Sequence, residues 1–187
     1  HGPTVATLRP ALLPDQFVGA HVESGKNPCH GPGNIAERAA RLFDEVIIAV
    51  YDKPLKSLMF SPEERISLVQ EAFKDHPKIH IAGYSGLTVN KALENNVQVI
   101  VRGLRVFSDF EFEFRMALAN HRLAKDVETI AFITNEEHTF ISSTTVREIA
   151  MLDGDISSMV PPHVEIALKN KVQETSENLR IANSLRD

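Results

Sequence analysis

From Asn34 onward the apolar positions fall into alternating short runs and helical stripes. Asn34 is a capping residue, and Ile35, Ala39, Leu42 and Phe43 share one face of the helix it would open. Residues 45–50 (EVIIAV) form a β-branched apolar run, the mark of a strand buried on both faces. After a loop over 51–60, Ser61 and Glu64 stand at capping-box spacing with Pro62 at the first helical position. Ile66, Val69 and Phe73 line the buried side of that helix. Strands are predicted over 79–82, 98–101 and 129–134, and helices over 87–95, 143–152 and 161–172.

Residues 109–124 carry two conflicting signals. Phe110, Phe112 and Phe114 alternate with Glu111 and Glu113, as in a strand. Met116, Ala117, Leu118, Ala119 and Leu123 argue for a helix, and the length of the segment favours the helix. Residues 1–33 hold Pro3, Pro10, Pro14, Pro28 and Pro32 among several glycines and show no sustained period. They read as loop, leader or tail, a divergent N-terminal segment ahead of one domain over 34–172. The polar tail 173–187 either extends the last helix or frays. Apolar strands alternating with helices mean βαβ units. The fold class expected is α/β, Rossmann-like: a parallel central sheet with helices on both faces, in a single domain.

Composition narrows the chemistry. The chain has 187 residues with Lys+Arg 20 against Asp+Glu 25, a net charge of −5. That sign argues against a general nucleic-acid or anionic-membrane partner while leaving room for a local basic pocket. One cysteine, Cys29, excludes an internal disulfide framework and a CxxC site. No apolar run reaches the roughly 18 residues of a membrane span. The chain opens on His1 and not Met, so its natural start is expected to lie elsewhere; no secretion signal is read. A reducing, cytoplasmic setting is expected.

Ligands of open parallel sheets bind beyond the carboxyl ends of the strands. That directs attention to three segments: 51–56 with Lys53 and Lys56, 102–105 with Arg102, Gly103, Leu104 and Arg105, and the loop running from His138 to Thr144. All are rich in phosphate-binding groups, which suggests an anionic substrate. Arg102 and Arg105 flank a glycine; they either fork onto phosphate oxygens or pair with acids such as Asp109 or Glu113. Ile141, Ser142, Ser143, Thr144 and Thr145 end a loop and begin a helix, so they form either an anion site or an ordinary N-cap. Glu113 and Asn120 face either the site or solvent. His121 and His138 lack partners at metal-ligand spacing, and no zinc site is expected. No G-x-G-x-x-G, P-loop lysine motif or G-x-S-x-G elbow is present.

Together these segments resemble the pantetheine-phosphate adenylyltransferases of the nucleotidyltransferase α/β phosphodiesterase superfamily. The likeness rests on IAERAARLFDEVIIAV (35–50), Lys56 with Met59, Phe60 and SPEER (61–65), VIVRGLRVFSDFEFEFRMALAN (99–120) and FISSTTVRE (140–148). It implies transfer of adenylate from ATP to 4′-phosphopantetheine, giving dephospho-coenzyme A and pyrophosphate, with Mg²⁺ accompanying ATP and assembly as a homo-hexamer. By the same resemblance Lys56, in the catalytic centre, and Arg102 bind the acceptor phosphate, and Thr88 lies at the pantetheine position. Gly103, Leu104, Arg105, Glu113, His138, Thr139, Phe140, Ile141, Ser142, Ser143 and Thr144 line the ATP side. A phosphate dianion is already a nucleophile, so catalysis reduces to positioning plus cationic stabilisation at the α-phosphorus.

The front of the chain departs from the family pattern. The family opens with a strand, a Gly-Ser/Thr-Phe-Asp-Pro turn and Thr-x-Gly-His at the first helix. Gap-free counting sets the last motif on Cys29, His30, Gly31 and Pro32, where only the glycine matches. Ser24 falls at the Ser/Thr position without its context, and His30 is the candidate substitute for the missing histidine. Within 16–22 a first strand is poorly marked. Residues 1–33 are thus either a wrongly read or joined segment or the front of a degenerate homologue that keeps nucleotide binding or an oligomeric, structural role. A related nucleotidyltransferase acting on a nicotinate nucleotide or glycerol phosphate is the third reading.

Overall fold

The computed structural model describes residues 6–8, 21–22, 28–30, 32–52, 58–104, 107–133 and 141–184. Its centre is a five-stranded sheet in the order β5-β4-β1-β6-β7. The strands are β1 (Ala6–Leu8), β4 (Val46–Tyr51), β5 (Ile79–Tyr84), β6 (Val99–Leu104) and β7 (Glu128–Ile133), and every pairing is parallel. A short antiparallel pair, β2 (His21–Val22) and β3 (Pro28–His30), precedes α1 (Pro32–Leu42). The remaining helices are α2 (Pro62–Ala72), α3 (Thr88–Glu94), α4 (Phe107–Leu123), α5 (Ser143–Met151) and α6 (Pro162–Ser184).

Strand alternation distributes the core between two faces. Val46, Ile48 and Val50 of β4 and Val101 of β6 pack with Ile35 and Ala39 of α1, Val69 of α2, Val146 of α5 and Val164 and Leu168 of α6. Ile100 and Ile47 point the other way, toward Val89 and Ala92 of α3 and toward Ala124 and Val127. Ile100 and Val101 are both fully enclosed, so the β-branched run is covered on both faces as its composition demands. Each such side chain contributes about 1.5–3 kcal/mol of burial.

Caps and tethers fix the helices. The capping box at Ser61 is present: Glu64 N–H donates to Ser61 Oγ at 3.2 Å, and Ser61 N–H donates to Glu64 Oε2 at 2.7 Å. Lys78 Nζ donates to the carbonyls of Ala40 (3.2 Å) and Phe43 (3.3 Å), satisfying the C-terminal end of α1. Lys171 Nζ donates to Glu64 Oε1 at 2.7 Å, joining α6 to the start of α2. The conflict over 109–124 resolves as helix, with its aromatics stacked at helical spacing. Phe107 and Phe110 have ring centroids 6.4 Å apart, and Phe110 and Phe114 5.8 Å.

The N-terminal reading needs correction. Residues 6–8 are not loop: they form the central strand, with Thr7 opposite Ile47 on one side and Ile100 on the other. Three residues are too few to display a period, and the neighbouring strands, not β1 itself, supply the pairing partners. Two further boundaries differ. β5 runs to Tyr84 and β6 to Leu104, beyond the expected ends at 82 and 101, because parallel neighbours carry the pairing past the apolar core residues. The segment after 172 continues α6 to Ser184.

Candidate active site

The parallel strands bring their carboxyl ends to one lip. Tyr51 stands opposite Tyr84, and Leu104 opposite Ile133. Since Leu8 of β1 faces both Ile48 and Val101, Tyr51 and Leu104 are level across the sheet. The α3/α4 side of this lip holds Arg102, Glu113 and Thr88. The opposite side is reached by the N-terminal end of α5.

Arg102 is a strand residue, not the loop residue expected after 101. Alternation places it on the same face as Ile100, beneath α4. Its Nε donates to Glu113 Oε2 at 2.5 Å, and its Nη2 donates to Glu113 Oε1, a bidentate pair. Both residues are buried, at 6% and 7% exposure. Of the alternatives left open by spacing, pairing with Glu113 is present, and it fixes the plane of the guanidinium at the sheet's mouth. The carboxylate and the cation need each other in a site this dry. Gly103 continues the strand on the other face, opposite Phe132. Asn120, on the same helix as Glu113, is also buried.

Thr88 opens α3 and is buried; its Oγ1 shares a hydrogen bond of 3.1 Å with the Tyr84 hydroxyl. The Tyr84 ring lies 5.2 Å from that of Tyr51. The two tyrosines and Thr88 therefore wall the lip on the β4–β5 side. From the β4–β5 wall to Arg102 the sheet interposes β1, a separation of roughly 10 Å at ordinary strand spacing. Sequence reasoning did not single out Tyr84 as a neighbour of Thr88. The alternation of Ile79, Ile81 and Gly83 against His80, Ala82 and Tyr84 was the available signal.

At α5, Ser142 is the N-cap: Thr145 N–H donates to its Oγ at 3.1 Å. Ile141 and Ser143 are buried, anchoring the turn, and Thr144 is exposed. The first-turn amides of Ser143 and Thr144 have no carbonyl partner within the helix, and the helix dipole adds positive potential there. Of the two alternatives left open for this turn, the N-cap is present. Lys56, Ser24, Arg105, His138, Thr139 and Phe140 lie outside the described residues. His30 ends β3, two residues ahead of the first residue of α1. Among the described residues no group of three or more His, Cys, Asp or Glu is placed to hold a metal ion. No described helix is long and apolar enough to cross a membrane.

A family profile described as cytidylyltransferase-like matches residues 28–149, a range that spans Thr88, Arg102, Glu113 and the α5 N-terminus. Curated relatives agree in name. The phosphopantetheine adenylyltransferase of Carboxydothermus hydrogenoformans is 47% identical over 145 residues, covering 78% of this chain and 90% of that protein. That of Herpetosiphon aurantiacus is 43% identical over 149 residues, with 80% and 90% covered. That of a Roseiflexus species is 47% identical over 140 residues, with 75% and 88% covered. The profile match over most of the chain and identity at this level over most of both proteins have one joint reading: the chain belongs to the phosphopantetheine adenylyltransferases, within the cytidylyltransferase-like family.

Proposed function

We propose that this chain transfers the adenylyl group of ATP to 4′-phosphopantetheine, yielding dephospho-coenzyme A and pyrophosphate. The observation that carries the reading is the 43–47% identity to proteins of that name over three-quarters or more of the chain. An oxygen of the acceptor phosphate attacks the α-phosphorus, a new P–O bond forms, and the bond to the β-phosphate bridging oxygen breaks as pyrophosphate leaves. No general base is required, because the acceptor is already a dianion. What the protein must supply is alignment and positive charge.

In this reading Arg102, its plane fixed by Glu113, binds the acceptor phosphate together with Lys56. Thr88 and the tyrosine wall flank the pantetheine arm. The α5 N-terminus, with Ser142, Ser143 and Thr144, receives phosphate oxygens of ATP on the other side of the lip, with Gly103, Leu104, Arg105 and His138, Thr139, Phe140 and Ile141 completing that side. Mg²⁺ enters as MgATP, part of the substrate. The setting is the cytoplasm, and the assembly is a homo-hexamer. Self-association is supported by an exposed stripe on α4, where Phe107, Phe110, Phe114 and Leu118 follow at spacings of three, four and four.

The experiment is release of pyrophosphate from MgATP, dependent on 4′-phosphopantetheine, with dephospho-coenzyme A identified as the second product. Turnover with a nicotinate nucleotide or glycerol phosphate in place of that acceptor would overturn the substrate assignment. A second reading rests on the absent Thr-x-Gly-His motif: a degenerate homologue that binds nucleotide without rapid turnover. Tight binding of ATP and dephospho-coenzyme A with no detectable transfer would favour it.

A further inference from the structure

Tyr84 is the last residue of β5 and is 5% exposed; Thr88, the first of α3, is 9% exposed. Their hydroxyls meet at 3.1 Å. Both partners are held by what surrounds them. The Tyr84 carbonyl accepts from the Asp52 amide at 2.9 Å, and the Tyr84 ring lies 5.2 Å from that of Tyr51 at a tilt of 56°. Gly86, at φ +78°, makes the left-handed step that turns the chain from β5 into α3. Residues 85–87 therefore bring Thr88 back onto the phenol.

A phenol is a stronger acid than an aliphatic alcohol, so Tyr84 donates and Thr88 Oγ1 accepts. The Thr88 proton is then left to donate elsewhere, and accepting the phenol's bond polarises it for that purpose. Tyr51, Tyr84 and Thr88 carry no charge, and their wall stands across β1 from Arg102. A neutral donor at that remove from the arginine suits an amide carbonyl and not a second phosphate oxygen. We propose that Tyr84 is a positioning residue for the acceptor: it orients the Thr88 hydroxyl so that its proton meets an amide carbonyl oxygen of the 4′-phosphopantetheine arm. A hydroxyl already turned to its task spares the acceptor the cost of ordering it. The inference rests on the adenylyl-transfer reading for the identity of the acceptor.

The test is a double-mutant cycle read on the KM of the acceptor. Tyr84→Phe keeps the ring against Tyr51 and removes the donor; Thr88→Val keeps the branched shape and removes the hydroxyl. Thr88→Val should raise KM for 4′-phosphopantetheine about five- to tenfold and Tyr84→Phe about three- to fivefold, as for neutral hydrogen bonds. KM for ATP should stay within about twofold in both. The double variant should be no worse than Thr88→Val, because the phenol acts only through that hydroxyl. An unchanged acceptor KM in Tyr84→Phe would overturn the proposal, as would an equal rise in both KM values or two effects that multiply in the double variant. If turnover is too slow to assay, calorimetric titration with 4′-phosphopantetheine reads the same changes in affinity. Should Tyr84→Phe not fold, 3-fluorotyrosine labelling replaces it: the chain has two tyrosines, and Tyr51→Phe assigns their ¹⁹F resonances. The Tyr84 resonance should move on addition of 4′-phosphopantetheine and stay in place with MgATP; a resonance that ignores the acceptor, or answers both alike, overturns the proposal. Acceptor binding that is equal in Tyr84→Phe and the unsubstituted chain defeats the Tyr84 role alone. Failure of the unsubstituted chain to bind 4′-phosphopantetheine defeats the adenylyl-transfer reading with it.

Discussion

Arg102 and Glu113 bind structure and function into one pair of side chains. Truncating Arg102 to alanine does more than remove the phosphate ligand proposed above, because it leaves the Glu113 carboxylate buried at 7% exposure without its bidentate partner. Arg102→Ala is expected to cost about 3–5 kcal/mol of stability, as when one member of a buried pair is removed. The double variant Arg102→Met with Glu113→Leu should recover most of that stability in urea titrations while acceptor binding stays lost. A single variant as stable as the unsubstituted chain would show that the pair is not structurally demanding. Resemblance assigned Arg102 to the acceptor phosphate and Glu113 to the ATP side, and the structure pairs the two with each other. Their mutual bond was legible only as one option among acids nearby. Arg102 was expected just beyond its strand and lies within it, since the strand outlasts its apolar run by three residues. The hydrogen bond from Arg38 Nη1 to the Ile133 carbonyl was not legible at all, because the two residues lie 95 positions apart and the acceptor is backbone.

Single elements differ in how far local chemistry specifies them. α2 is specified almost completely by its own sequence: Ser61, Pro62 and Glu64 write its start, and the structure repeats it. Here a pH dependence follows. The Lys171 ammonium, and after it the Ser61 amide, hold the Glu64 carboxyl below its ordinary value. A lowered folded-state value stabilises the protein above the unfolded value, near 4.5, and that contribution is lost as pH falls through the folded value. Lys171, raised by the same hydrogen bond, contributes below its unfolded value and loses it as pH rises through the folded one. Calorimetric scans from about pH 6 to pH 3 should therefore show a shallower acid decline of Tm for Glu64→Gln than for the unsubstituted chain. An identical decline would remove Glu64 from the acid transition. β1 stands at the other extreme, since nothing local in Ala6–Leu8 announces a central strand. Its place is dictated by β4 and β6, which each offer it a row of backbone groups. Thr7→Pro removes a ladder donor in the middle of the sheet, at a cost on the order of 3 kcal/mol. The expected fall in Tm is roughly 6–12 °C for a domain of this size. A Tm that does not move would mean the sheet closes without β1.

At the scale of the whole molecule, the front and the body of the chain carry different amounts of family character. The body holds the sheet lip, the Arg102–Glu113 pair and the α5 N-terminus within the matched range 28–149. The front pairs into the sheet through β1, and gap-free counting sets the family's Thr-x-Gly-His on Cys29, His30, Gly31 and Pro32, at the start of the matched range. Pro32 begins α1 and offers neither a side-chain donor nor a backbone N–H. A donor aimed at charge developing on the α-phosphate acts in the transition state and hardly in the ground state. Its absence should therefore leave ATP affinity nearly unchanged and lower kcat by about 10²–10³-fold, or roughly 3–4 kcal/mol. Misalignment of the turn ahead of α1 would add to the deficit. Replacing residues ahead of Ile35 with a strand, a Gly-Thr-Phe-Asp-Pro turn and Thr-x-Gly-His should raise kcat by orders of magnitude, with KM values little altered. The assay is pyrophosphate release with MgATP and 4′-phosphopantetheine. Rapid turnover by the unsubstituted chain would assign the donor's role to another group. His30, two residues ahead of α1, is then the first to test, and His30→Ala should abolish the rate. A restored chain that binds both substrates and still fails to turn over would place the defect in the body of the protein, and the degenerate-homologue reading would stand.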